Sequence, residues 1–277
     1  MKASVDLHCH STRSDGLLAP AAVVARAATR GVHTLALTDH DEVSGLREAR
    51  ERAAVAGVAF INGVEISVTW SGHTLHVVGL HIDPDNTDLA AGLEQIRSGR
   101  QSRAENIAAG LEKAGIVGSL EGARSYVTNA ELVGRTHFAR FLVERGHARD
   151  VSAVFRKYLA AGKPGYVPHQ WASLDQAVHW IRASGGIAVL AHPGRYGLTP
   201  AERESLLSNF KDTGGDAIEV VTGSHTPDQY ATWGRYAQRF GLLASAGSDF
   251  HGPGESRRDF GELPGLPRDC VPVWQEF

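Results

Sequence analysis

Short apolar runs bounded by polar loops alternate with amphipathic stretches along most of the 277-residue chain. The first run ends in Asp6-Leu7-His8-Cys9-His10, read as a strand end whose alternation puts Asp6, His8 and His10 on one face and Cys9 on the other. Pro20 opens an alanine-rich helix to about Arg30, with Gly31 as its C-cap. Thr34 to Thr38 forms a strand running into Asp39-His40-Asp41, and a helix capped by Ser44 extends to Ala56 and stops at Gly57. Val58 to Asn62 is a third strand, leading through Gly63 into Val64 to Trp70. Ser71-Gly72 then turns the chain into His73 to Leu80, a predicted β-hairpin.

From about residue 88 the helical period takes over, through Leu89 to Ala114, Glu131 to Arg145 and Val151 to Ala161, until Gly162-Lys163-Pro164-Gly165 marks a boundary. The strand-and-helix unit then resumes: helix Ser173 to Ala183, strand Ile187 to Ala191, strand Ala217 to Val221 and strand Leu242 to Ala246, with helices near 200–213 and 227–240 between them. Units recurring at a spacing of roughly 30 residues predict a mostly parallel sheet covered by helices. Polar residues fall at the carboxyl end of almost every strand, as in a barrel, where an open sheet would gather them around one crevice. With seven such units, the expectation is an α/β fold, an irregular barrel formed by residues 1–89 and 164–277, with residues 90–163 inserted as a helical cap.

Composition narrows the chemistry. With 42% hydrophobic and 21% charged residues and a formal net charge of -3, the chain lacks the basic surface that grips long nucleic acid. No apolar run approaches ~18 residues, and no charged-then-apolar leader opens the sequence, so neither a membrane span nor export is expected. Cys9 and Cys270 are too few for a disulfide framework or a thiolate zinc site, which fits a cytoplasmic protein. Fourteen histidines are unusual. The fold would bring His8, His10, Asp15, His40, Glu65, His76, His192, Asp249 and His251 to one rim, with His137 from the insertion. Imidazoles and carboxylates gathered without a cation would leave like charges and unpaired polar groups together, so the cluster implies bound metal. Without thiolates, this set fits Mn, Fe or Zn. Trp180 lies at helical spacing among apolar neighbours and is expected in the core.

Six segments carry a resemblance to a known family: Asp6-Leu7-His8-Cys9-His10-Ser11, Thr38-Asp39-His40-Asp41, Gly63-Val64-Glu65, His76, Ala191-His192-Pro193 and Gly247-Ser248-Asp249-Phe250-His251. Together they resemble the PHP (polymerase and histidinol phosphatase) metal-dependent phosphoesterases. Gly134-Arg135-Thr136-His137 and Gly162-Lys163-Pro164-Gly165-Tyr166-Val167 are similar to the subgroup that hydrolyses nucleoside 3',5'-bisphosphates and trims short oligoribonucleotides. The resemblance implies a distorted (β/α)7 barrel with two to three divalent metal ions. A first would be held by His8, His10, Glu65 and Asp249. A second, bridged by Glu65, would take His76 and His137, with His192 as the alternative to His137. A third would take Asp15, His40 and His251.

The implied reaction is attack of a metal-generated hydroxide on phosphorus, releasing the 3'-phosphate and a nucleoside 5'-monophosphate. Glu65 would bridge the metals, Arg135 would clamp phosphate, His192 would protonate the leaving oxygen or bind phosphate, and Lys163 and His225 would contact substrate. Exoribonuclease action on short RNA 5' ends, histidinol phosphate hydrolysis, hydrolysis at carbon and a non-catalytic metal-binding module are the alternatives. The expected partner is a small phosphorylated nucleotide or a short oligoribonucleotide. Asp6 is expected to orient an imidazole, and His33, His73, His81, His147, His169 and His179 are expected to be structural.

Overall fold

The computed structural model describes residues 4–127 and 129–277. Seven strands, β1 (Val5–Asp6), β2 (Thr34–Leu37), β3 (Ala59–Trp70), β4 (His73–Leu80), β5 (Ile187–Leu190), β6 (Ala217–Thr222) and β7 (Leu243–Gly247), pair in sequence order. All neighbours run parallel except β4, which is antiparallel to both β3 and β5. Beyond β1 and β7 the chain keeps cross-bonds. Leu7 N–H donates to Ala246 O at 2.9 Å, Asp249 N–H to His8 O at 2.8 Å and His10 N–H to Phe250 O at 2.8 Å. These bonds draw the two edges together into the expected (β/α)7 barrel.

The helices are α1 (Pro20–Thr29), α2 (Leu46–Ala56), α3 (Thr87–Lys113), α4 (Ser119–Arg124), α5 (Arg135–Glu144), α6 (Val151–Val154), α7 (Leu174–Ala183), α8 (Pro200–Asp212) and α9 (Pro227–Phe240). Local chemistry accounts for most of the boundaries. Ser71 and Gly72 both adopt positive φ, 46° and 79°, which the tight hairpin between β3 and β4 requires. Asn86 caps α3 by accepting from the N–H groups of Asp88 and Leu89.

Three local expectations change. Ser44 does not cap α2: Glu42 Oε1 accepts the N–H groups of Val43 and Ser44, both at 2.8 Å, and Gly45 takes the cap position. The helix expected from Glu131 starts at Arg135, because Gly134 is extended at φ -123° and ψ 176° and breaks it from a 3-10 turn at Ala130–Leu132. The helix expected through Ala161 leaves the α geometry at Phe155, where a π turn runs to Leu159.

Strand parity builds the barrel interior in two levels. Leu7, Ala36, Ile61, Val78, Leu80, Val189, Ala191 and Ala217 form one buried apolar cluster, the floor. Glu65, His76 and Glu219 share the strand faces of Ile61, Val78 and Ala217, displaced toward the rim. At β1 strict alternation fails: Leu7 joins the floor whereas Cys9 joins the outer cluster with Leu35 and Leu37, since regular pairing stops at Asp6. Cys9 still points away from the rim, its thiol donating to Ala36 O at 3.2 Å.

Outside the barrel, α1, α2, α7, α8 and α9 pack on the sheet, with Trp180 in that cluster as expected. Leu89, Leu93 and Ile96 in the first half of α3 belong to the same cluster. Ala104, Ile107 and Leu111 in its second half belong to another, with Phe138, Leu142, Val154 and Leu159. Among the described residues, no helix is long and apolar enough to cross a membrane.

Candidate metal centre

Glu65, fully buried on β3, stands at the centre of the rim. Its Oε2 lies 3.2 Å from His8 Nε2, 3.3 Å from His10 Nε2 and 3.0 Å from His40 Nδ1. His8 Nε2 and His10 Nε2 are 3.2 Å apart, and Asp249 Oδ1 lies 3.6 and 3.3 Å from them. Atoms bound at 2.0–2.1 Å around a tetrahedral ion are about 3.3 Å from one another. The first four-residue set therefore has the edge lengths of a coordination shell. Glu65 Oε2 and His40 Nδ1 make no hydrogen bond despite complete burial, so their lone pairs await another partner.

The other oxygen, Glu65 Oε1, is 2.9 Å from His76 Nδ1 and 2.9 Å from His192 Nε2, and these two nitrogens are 3.4 Å apart. His192 reaches this point through a backbone at φ 27° and ψ 55°, a conformation a non-glycine residue holds only where its surroundings enforce it. A third group combines His10, Asp15, His40 and His251, with His251 Nε2 3.3 Å from Asp15 Oδ1. Burial opposes protonation of His10, yet Asp249 and Glu65 outweigh it and draw His10 up to about 10. Burial likewise opposes protonation of His8, and Glu219, Glu65 and Asp249 overcome it. The centre thus carries negative charge in excess of what neutral imidazoles offset, and it attracts cations. His192 differs: burial and then the Arg195 charge push it down to about 4.

Surrounding groups fix these side chains. Glu219 Oε1 is 2.7 Å from His8 Nδ1, and Glu219 Oε2 accepts the His192 N–H at 2.6 Å. One carboxylate thereby orients His8 and anchors the turn carrying His192. Asp6, expected to orient an imidazole, instead accepts the Ser248 N–H at 2.8 Å, so it holds backbone beside Asp249. Asp39 accepts the Ser11 N–H at 2.7 Å and the hydroxyls of Ser11 and Ser14, both at 2.6 Å, shaping the loop that carries Asp15. Arg140, on α5, donates to Asp15 O at 2.6 Å and to Glu255 Oε1 and Oε2 at 2.8 and 2.7 Å.

The expected substrate residues fare unevenly. Arg135 lines the cleft over the metal centre, with its guanidinium over the Phe155 ring. His137 lines the same cleft but stands apart from every metal-capable group among the described residues. His192 occupies the place beside Glu65 and His76 that His137 was expected to share. The structure does not bring Lys163 to the cleft: it is exposed on a turn held by Lys163 N–H to Ala160 O and by Gly165 N–H to Tyr158 O. His225 is not available to substrate either, because Nδ1 donates to Val220 O at 3.0 Å and Nε2 accepts the Gly194 N–H at 2.9 Å. The six remaining histidines lie outside the metal-capable groups.

Sequence reading missed four residues. Glu219 carried a usable signal, a lone acid on the inward face of an apolar strand. Arg100, Arg103 and Arg195 carried none, because helical arginines and a loop arginine look like ordinary surface. In the fold Arg100 and Arg103 flank the Trp171 ring at 4.8 and 5.0 Å, and Arg195 Nη1 is 2.8 Å from Asp249 Oδ2. Arg100 pairs with Asp41, whereas Arg103 and Arg135 have no acidic partner among the described residues. Burial, reinforced by the Arg135 and Arg100 charges, lowers Arg103 to about 9. The cleft therefore sets an acidic, metal-ready wall against a basic one.

Comparison with known proteins gives the family. The PHP domain profile matches residues 6–196. A 3',5'-nucleoside bisphosphate phosphatase of Chromobacterium violaceum is 53% identical over 99% of this chain and 96% of its own length. The 5'-3' exoribonuclease Rnm of Escherichia coli is 46% identical over 98% of this chain and 92% of its own. A solved amidohydrolase structure from Chromobacterium violaceum, with bound sulfate and no metal, superposes with a TM-score of 0.96 at 53% identity, covering 99% of this chain and 95% of that one.

Proposed function

Because the chain belongs to the PHP domain family, we propose that it is a metal-dependent phosphoesterase that removes the 3'-phosphate of nucleoside 3',5'-bisphosphates. The observation that carries this reading is the pairing, in one cleft, of the metal-ready centre around Glu65 with Arg103 and Arg135, which have no acidic partner among the described residues. A substrate with two phosphates on one ribose matches that division, the reacting phosphate at the metal wall and the other on the guanidinium forks.

In this reading His8, His10, Glu65 and Asp249 would hold a first ion, and Glu65, His76 and His192 would hold a second. Asp15, His40 and His251 would hold a third. When bound, divalent ions such as Mn, Fe or Zn activate water near neutral pH and neutralise charge on phosphate oxygens. His192 would offer Nε2 to that second ion, and in this role it would not be the proton donor to the leaving oxygen. Arg135 and Arg103 hold the second phosphate so that the scissile bond presents along the line of attack. Residues 90–163 act as a cap, since Arg100, Arg103, Arg135 and His137 all reach the cleft from that segment. Free, buried Cys9 and Cys270 fit work in the reducing cytoplasm.

A second reading, removal of nucleotides from short RNA 5' ends, is favoured by the resemblance to the Escherichia coli enzyme over nearly the whole chain. The test offers Mn-loaded protein a nucleoside 3',5'-bisphosphate, the matching monophosphates, histidinol phosphate and a short 5'-phosphorylated RNA, and measures release of phosphate and nucleotide. Preferential release of phosphate from the bisphosphate is expected. Nucleotide release from RNA with little phosphate from the bisphosphate would establish the second reading instead.

A further inference from the structure

His137 invites assignment as a ligand, being a histidine on the lip of a metal centre, but its hydrogen bonding points elsewhere. The Gly134 N–H donates to His137 Nδ1 at 3.0 Å, closing the first turn of α5. A ring nitrogen that accepts an amide proton has its lone pair engaged there, so the single proton of the neutral imidazole sits on Nε2. Nε2–H is then a donor with no lone pair to offer a cation. The residue is 1% exposed and Nε2 completes no well-formed hydrogen bond within the protein, the Ser14 backbone being its neighbour, although it belongs to the cleft lining with Asp15, His40 and His251. A buried donor left unpaired in a cleft costs stability unless something else accepts from it.

The surroundings say what kind of acceptor fits. Gly134, Arg135, Thr136 and His137, the start of the ten-residue helix α5, all line the cleft. A helix start presents partial positive charge and favours anions. Arg135 adds a full positive charge, its guanidinium resting over the Phe155 ring. The acceptor is therefore anionic and oxygen-rich, and it lies between α5 and the ligands of the metal centre.

We propose that the first turn of α5, through His137 Nε2–H, is a hydrogen-bond donor site for an oxygen of the phosphate held at the metal centre, and that His137 is not a metal ligand. This deepens the phosphoesterase reading above and rests on it. The imidazole stays neutral and transfers no proton; it holds a phosphate oxygen whose charge grows as the nucleophile approaches.

Two substitutions separate the ring nitrogens. In His137→Asn the side-chain oxygen can replace Nδ1 as acceptor from Gly134, but nothing reaches the Nε2 position. In His137→Gln the amide nitrogen restores a donor near Nε2. The expected results are an Nε2–H signal for His137 in 15N NMR of the metal-loaded protein and an unchanged metal-to-protein ratio in both variants. Inorganic phosphate should bind about ten- to hundredfold more weakly to His137→Asn, with partial recovery in His137→Gln and kcat/KM following the same order. Loss of one metal equivalent in His137→Asn, an Nδ1–H tautomer in the wild type, or wild-type phosphate binding by His137→Asn would each overturn the proposal. The NMR measurement needs no variant, so it decides even where a substitution prevents folding. Absence of bisphosphate turnover in the wild type would count against the substrate reading alone, since tautomer and phosphate affinity are measured without turnover.

Discussion

Glu219 shows how much one side chain decides at this centre. It touches no expected metal position, yet it holds His8 Nδ1 at 2.7 Å and the His192 N–H at 2.6 Å. Replacing it with Gln keeps the shape but removes the charge that stabilises a ligating imidazole, and such changes typically cost 10–100-fold in metal affinity. Glu219→Gln should therefore need about that much more Mn for half-maximal metal binding, measured by titration. Undiminished affinity would show that His8 is oriented by other means.

Away from the centre, Asp259 supplies a pH-dependent contribution. Burial alone would raise its pKa, but the Arg26 guanidinium, whose Nε donates at 3.0 Å, holds it below the usual carboxylate range, with Arg30 nearby at 2.8 Å. A depressed folded pKa means the stabilisation is full above about pH 4 and is lost as pH falls through the lower folded value. Asp259→Asn should cost about 1 kcal/mol at pH 7 in urea unfolding, and the gap should close below about pH 3. A gap that persisted there would assign the effect to packing.

At this scale the ligands were legible in the sequence because they sit at strand ends beside turn residues. Glu219 and the arginines were not, since their meaning depends on neighbours brought from across the chain. His225 misled for the same reason: nothing local reveals that both its nitrogens are occupied by backbone groups.

Among the elements, α5 reaches from the second apolar cluster to the barrel rim. Arg140 on its inner face binds Glu255 with both carboxylate oxygens and also holds the Asp15 carbonyl. Asp15 and His251 belong to the third donor group, so this single guanidinium braces the two loops that complete it. Arg140→Met should fold, since the methionine can fill the stem's volume, but it should lower occupancy of that group. Elemental analysis after dialysis should find a reduced metal ratio, with the loss confined to the weakest-binding equivalent. An unchanged ratio would show that the loops hold themselves. The sequence shows the strands and the barrel helices through their periods and caps. It concealed the start of α5, because an extended glycine followed by a histidine cap interrupts what otherwise looks like one helix from Glu131.

For the whole molecule, the two-level barrel interior sets an apolar floor beneath a ring of ionisable groups. Glu65, Asp249, Asp15 and Glu219 approach one another there among imidazoles and the single Arg195 guanidinium, an arrangement that strongly bound cations stabilise. Stripping metal with a chelator should lower the thermal midpoint by several degrees, and readdition of Mn should restore it, with the shift growing with metal concentration. A midpoint indifferent to metal would mean that the histidines neutralise the centre by binding protons.

Helix α3 bears on how the cleft opens. Its 27 residues, about 40 Å at 1.5 Å per residue, pack their first half in the cluster on the barrel and their second half in the other apolar cluster without interruption. A hinge would have to bend a continuous helix, and Gly92, pressed against the Trp180 ring, fixes its near end. The two parts share a rigid spar. Ligand access then falls to the side chains lining the mouth rather than to a parting of the two clusters.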